Sequence, residues 1–128
     1  MRHYHVDVAR FAAKADHKWV DNLLSHFDVP GVERARQGLS RRISDDGIYH
    51  IALIRILNRE VGLSTSAAVS LAERLLSSAE HRVRLVEGLE LELDLDRLRR
   101  QVDAAIIEGV ESLAPARRGR PPRSPASE

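Results

Sequence analysis

The stretch 48–57, Ile-Tyr-His-Ile-Ala-Leu-Ile-Arg-Ile-Leu, constrains the fold more than any other part of the 128-residue chain. Ile48, Ile51, Leu53, Ile54, Ile56 and Leu57 cannot share one stripe of a helix. A helix apolar on most sides belongs at the centre of a domain or against a partner chain. Ser44 is placed to cap it, with Asp45 and Asp46 beside its positive end, and Gly62 to end it.

Shorter amphipathic segments surround this one. In "DVARFAAKA", Val8, Phe11, Ala12 and Ala15 follow helical spacing behind Asp7 as a cap. In "DHKWVDNLLSHF", Asp16 caps a second helix whose stripe is Val20, Leu23, Leu24 and Phe27. The two meet across a short turn, the outline of a helix-turn-helix, and equally of two packed helices in any small α domain. Pro30 and Gly31 then break the helix. A short hairpin around Gly38 follows, with Arg34, Arg36, Arg41 and Arg42 on its arms and no acid from 34 to 44. Such a ribbon suits phosphate contact, or else carries charge for solubility. Ser64 caps another helix, with Ala68, Leu71, Ala72 and Leu75 on one face.

After residue 80 the period changes from helical to alternating. Val83, Leu85, Leu89, Leu91, Leu93 and Leu95 fall on one face, and Arg82 and Arg84 face Glu90, Glu92 and Asp94 on the other. That pattern predicts an antiparallel hairpin turning near Glu87-Gly88. A last helix, with Leu98, Val102, Ala105, Ile106 and Leu113 as its stripe, is expected to cover it. The fold class expected is therefore mainly α with small β elements.

Composition narrows the chemistry. With 43% apolar residues and only five aromatics, the core of this single domain is mostly Leu, Ile, Val and Ala. The absence of cysteine excludes disulfides, thiolate metal sites and cysteine catalysis. No stretch reaches the roughly 18 apolar residues of a membrane span, and "MRHYHVDVAR" is too polar for a signal peptide. A cytoplasmic, nucleoid-associated protein is expected. There is no P-loop, nucleophile elbow or H-E-x-x-H motif, so the reading is of a protein that is not an enzyme and needs no cofactor. His3 and His5 could share a metal, but two ligands alone do not define a site.

The net charge of +1 is unevenly spread: residues 115–128 carry four Arg and one Glu, and the rest 16 basic and 18 acidic residues. The body is not generally basic, so any DNA contact must come from local patches.

Taken in order, these pieces resemble the winged helix-turn-helix DNA-binding domain of the MerR-type regulators, over about Tyr4 to Leu76. "VARFAAKADHKWVDNLL" stands for the family's first two helices. "GLSRRISDDGIYHIALIRIL" resembles its wing tip, return strand and capped helix, and "GLSTSAAVSLAERLL" its following segment. Departures exist. Lys14 stands where the family usually has a turn glycine, and Asp21 and Asn22 where Arg and Tyr are usual. The long dimerisation helix and cysteine-rich effector site are absent, and a βα extension replaces them. The resemblance implies DNA binding, and neither metal sensing nor the family's usual dimer.

On that reading the second helix enters the major groove, with His17, Lys18, Asp21, Asn22 and Ser25 facing outward. Asn22 suits adenine, because its amide donates and accepts at once. Lys14 and Lys18, the only two lysines, fall where phosphates would lie. Asp21 is expected to pair within the protein, with Lys18 or an arginine, since a free carboxylate near phosphates is repelled. In the tail "PARRGRPPRS", Arg118, Gly119, Arg120 and Pro121 resemble the core of an AT-hook, whose arginines enter the A·T-rich minor groove; the bare alternative is a basic disordered tail.

The expected organisation is a winged helix-turn-helix over 1–80, a hairpin-plus-helix dimerisation or partner-binding element over 81–114, and a disordered basic tail over 115–128. Leu89, Leu91, Leu93, Val102 and Ile106 are the expected dimer contacts. The expected role is sequence-specific binding of double-stranded DNA by a homodimer in transcriptional regulation. An antitoxin-type autoregulator holding a protein partner through 81–114, or an architectural, excisionase-like factor, remain alternatives.

Overall fold

The computed structural model describes residues 2–33 and 41–118. Helices dominate, with five α-helices and two small antiparallel sheets among the described residues. None of the described helices is long and apolar enough to cross a membrane.

The all-round apolar segment lies at the centre, as helix α3 (Asp45–Ile56). Ser44 Oγ accepts from the Gly47 N–H at 3.2 Å, with Asp45 and Asp46 in the first turn. Ile48, Ile51, Ala52, Leu53 and Ile54 are buried. Their cover comes from the same chain: α1 (Val6–Ala13), α4 (Thr65–Ser77) and α5 (Leu95–Arg118) all pack on α3. A wider π-helical turn, Leu57–Val61, continues α3 and closes at Gly62. Ser64 caps α4 as expected, and Ala68, Leu71, Ala72 and Leu75 are its buried face.

At the N-terminus, strand β1 (His3–Tyr4) leads into α1. Asp7 is not the cap of α1. His5 is, with its Nδ1 accepting from the Asp7 N–H at 3.1 Å. The strand ends at Tyr4, so the helix begins one residue before Asp7, which then sits in its first turn. Lys14 ends α1 in the left-handed conformation, φ 56°. Asp16 caps α2 (His17–His26), its Oδ1 2.8 Å from the Trp19 N–H.

β1 pairs with β3 (Arg42–Ser44), and β3 with β2 (Val32–Glu33), in the antiparallel order β1-β3-β2. Tyr4 and Val32 flank the buried Ile43, and Glu33 pairs with Arg42. The sheet meets the start of α3 at a close approach of two glycines. The Gly31 carbonyl accepts from the Ser44 N–H at 2.9 Å and from Ser44 Oγ at 3.2 Å, leaving no room there for a side chain.

The second sheet is the expected hairpin, β4 (Arg82–Val86) and β5 (Leu89–Glu92), turning at Gly88 with φ 88°. Arg82 faces Glu92 and Arg84 faces Glu90, with guanidinium–carboxylate distances of 3.1 and 3.4 Å. The apolar alternation does not run through. An irregularity between Arg84 and Val86 turns Leu85 outward, and Leu85, Val86 and Leu89 are exposed.

The last helix differs from expectation in what it covers. α5 lies along α1 and α3, while the hairpin leans on α4 through buried Val83. The small buried face of α1 (Val8, Ala9, Ala12, Ala13) lets α5 come close, with Gly109 set against the Phe11 ring. One continuous core therefore runs from Val8 to Ile106, and the 81–114 segment completes it. α5 extends to Arg118, past the residue 115 at which the tail was expected to begin; residues 119–128 lie outside the described residues.

Candidate nucleic-acid interface

Helix α2 has two contrasting sides. Val20, Leu23 and Leu24 are buried in the core. His17, Lys18, Asp21, Asn22 and Ser25 are all exposed, so the face expected to read DNA is covered by no other described element. The N-terminus of α2 is capped by the Asp16 carboxylate and has no further acid in its first turn.

Arg41, at the end of the segment between β2 and β3, reaches across this face. Its guanidinium donates to Asp21 Oδ1 at 3.2 Å and to Ser25 Oγ at 3.3 Å. Asp21 and Ser25 are four residues apart, hence neighbours on one helix side, and Arg41 clamps both. The expected internal partner of Asp21 is thus an arginine rather than Lys18. The contact offsets the carboxylate charge and ties α2 to the strand side. Because Asp21 is half exposed, the pair is worth well under about 1 kcal/mol in stability; its effect is on position and local charge.

The other residues fall around this clamp or apart from it. Lys14 is exposed at the turn before α2, its backbone N–H bonded to the Arg10 and Phe11 carbonyls. Arg42 is exposed on β3 and, among the described residues, makes no ion pair. Arg34 and Arg36 lie outside the described residues, as do Gly119, Arg120 and Pro121; Arg118 is the last residue of α5. Of the expected dimer contacts, Val102 and Ile106 are each 4% exposed, packed in the chain's own core. Leu91 and Leu93 are half-buried against that core, and Leu89 alone is exposed. The physical reason is the docking of α5 on α1, which uses the stripe that a partner chain would have needed.

Arg55 is a residue that the sequence reading passed over. From α3 its guanidinium stacks 4.8 Å from the centre of the Trp19 ring on α2, and its Nε is buried without a hydrogen-bond partner. Such stacking stabilises by about 0.5–2 kcal/mol and holds the first turn of α2 against α3. The signal was present as a lone arginine inside an apolar run.

A lateral cleft between α3, the hairpin and α5 carries polar groups: His50, His81, Tyr49 and Arg99 line it. His50 and His81 each place Nδ1 against a backbone carbonyl, of Asp46 and Leu75. Among the described residues no group of three or more His, Asp or Glu is arranged to hold a metal ion. No protein-family model, curated protein or solved structure matches the chain.

Proposed function

We propose that the protein is a winged helix-turn-helix protein, similar to the DNA-binding domain of MerR-type regulators, that binds double-stranded DNA sequence-specifically in transcriptional regulation. The observation that carries this reading is the bare outward face of α2 braced by Arg41 from the strand side. A recognition helix must be both exposed and held in register, because base contacts depend on sub-ångström placement.

Two further points support it. The left-handed φ of 56° at Lys14 is the conformation a turn glycine takes without strain, so the departure from the family at this position keeps the same backbone. Second, Arg41 counters Asp21, the one acid on the outward face of α2. Asn22 is then the adenine reader, Lys14, Lys18 and Arg42 are phosphate contacts, and the arginines of the wing and tail add to them.

A salt titration on a selected DNA site tests this. Arg42→Ala lowers the slope of log affinity against log salt by about 0.9, one phosphate's share. Arg41→Ala weakens binding more, because it also uncovers Asp21, and adding Asp21→Ala recovers part of the loss. No measurable DNA binding, or an unchanged slope in both single variants, refutes the reading.

A further inference from the structure

A groove beside α5 is left open by the described residues. Ala12 of α1, Ile56 of α3 and Ile107 of α5 are in its walls, and the two isoleucines are 41% and 61% exposed. Three glutamates, Glu60, Glu108 and Glu111, stand around this apolar surface, against one cation, Lys14. All three are exposed, and none has an ion-pair partner among the described residues. Exposed apolar surface rimmed by unpaired charge of one sign fits a segment that is basic and carries apolar groups. A segment of that kind is joined to the groove's own wall. α5 runs on to Arg118, and residues 119–128, Gly-Arg-Pro-Pro-Arg-Ser-Pro-Ala-Ser-Glu, follow it with two arginines and three prolines.

We propose that the segment 119–128 turns back at Gly119 and docks in this groove of its own chain, antiparallel to α5, with Arg120 and Arg123 against Glu111 and Glu108. The lengths agree. From Arg118 back to Glu108 the helix descends about 15 Å, and five extended residues, 119–123, cover about 16 Å. Arg123 then stands level with Glu108, and Arg120 is left within side-chain reach of Glu111. Glycine supplies a reversal that other residues make only with strain. Pro121 and Pro122 restrict the free segment to extended backbone, so less chain entropy is lost on docking. The prolines on either side of Arg123, Pro122 and Pro125, supply apolar contact to Ile107. Exposed ion pairs are individually weak, but the tether holds the segment near its groove at about millimolar effective concentration, so weak contacts suffice. If the DNA reading holds, DNA that takes up Arg120 has to displace the segment; the docking itself is measured without DNA.

The chain has no cysteine, so Ser124→Cys gives the full chain a single site for a nitroxide spin label. The label weakens the methyl signals of the residues that the segment approaches. At low salt the Ile56 and Ile107 methyls are expected to lose intensity, and those of Leu89 at the hairpin turn to keep it. Salt at about 1 M, which screens exposed charges beyond about 3 Å, is expected to restore the lost signals. Glu108→Lys with Glu111→Lys is expected to abolish the loss, because the contacts become like-charged. Adding Arg120→Glu with Arg123→Glu is expected to bring it back, because both pairs are again opposite in sign. Melting curves establish that each variant is folded. Mixing spin-labelled chain with isotope-labelled chain that carries no spin label tests for a second molecule, and the same loss in that mixture overturns docking within one chain. Equal loss at Leu89 and Ile107, no loss at either, or a loss that survives the glutamate reversal also overturns the proposal.

Discussion

Gly31 and Gly62 adopt almost the same left-handed backbone, φ 87° and 88°, and differ in what surrounds them. A Cβ on Gly62 would meet nothing within 4 Å. On Gly31 it would lie 2.4 Å from the Gly47 nitrogen, 2.6 Å from Gly47 Cα and 2.7 Å from Ser44 Oγ. Alanine at either site bears the cost of the left-handed region, about 1–2 kcal/mol. At Gly31 the added methyl also strikes backbone that cannot rotate away. Either the strain remains, at about 1–3 kcal/mol, or the first turn of α3 shifts and the Ser44 cap weakens, at about 1 kcal/mol. Gly62→Ala should therefore lose about 1–2 kcal/mol and Gly31→Ala about 2–5 kcal/mol, a large part of a total of roughly 5–15 kcal/mol. Urea unfolding of the two variants beside wild type measures both losses, with an unchanged m-value showing that the denatured state is unaltered. If Gly31→Ala costs no more than Gly62→Ala, the packing of Gly31 on Gly47 does not hold the sheet to α3, and the reasoning fails.

Asn22→Ala should reduce discrimination between a cognate site and a single-base variant by about 1–3 kcal/mol while sparing non-specific binding; equal weakening on both DNAs would give Asn22 only a positioning role. Arg118→Ala with Arg120→Ala should weaken binding to DNA with A·T-rich flanks more than to DNA with G·C-rich flanks, the tail being tethered near its target at about millimolar effective concentration. The melting temperature should barely change, and equal losses on the two flanks would reduce the tail to a basic strip. Burial, and then the 2.5 Å hydrogen bond to Asp103 and that residue's charge, raise the Tyr49 phenol above its ordinary value of 10.0. Its contribution to stability is whole below pH 10 and is lost as pH rises through the higher folded value, because the unfolded chain loses the proton first. Tyr49→Phe should flatten that alkaline decline, and an identical decline in the variant would dismiss the Tyr49 contribution.

Much of the molecule was legible before any coordinates. Asp16, Ser44 and Ser64 cap the helices they precede, because capping is settled within three residues of chain. The hairpin register follows from charge alternation around Gly88, again a local matter. The central place of α3 follows from its composition alone, since no single-faced packing buries it. What such patterns leave open is the identity of the covering element. The stripe of α5 is apolar whether it meets the hairpin, a partner chain or α1; the small residues of α1 decided it, by letting the helices approach closely. The bulge that turns Leu85 outward was likewise hidden, because alternation is a property of residue type and a bulge of the backbone.

The candidate site divides in the same way. The outward residues of α2 were identified from spacing, because the buried stripe of an amphipathic helix determines its opposite side. The Arg41 clamp joins residues 20 apart in sequence and the Arg55–Trp19 stack joins 36, on elements whose mutual placement depends on the whole core. By itself the sequence determined which faces are apolar and where α2, α3 and α4 start. Only the tertiary structure decided which faces meet and which charges find one another, because contact between distant residues is set by packing geometry, and side-chain pattern carries no distance.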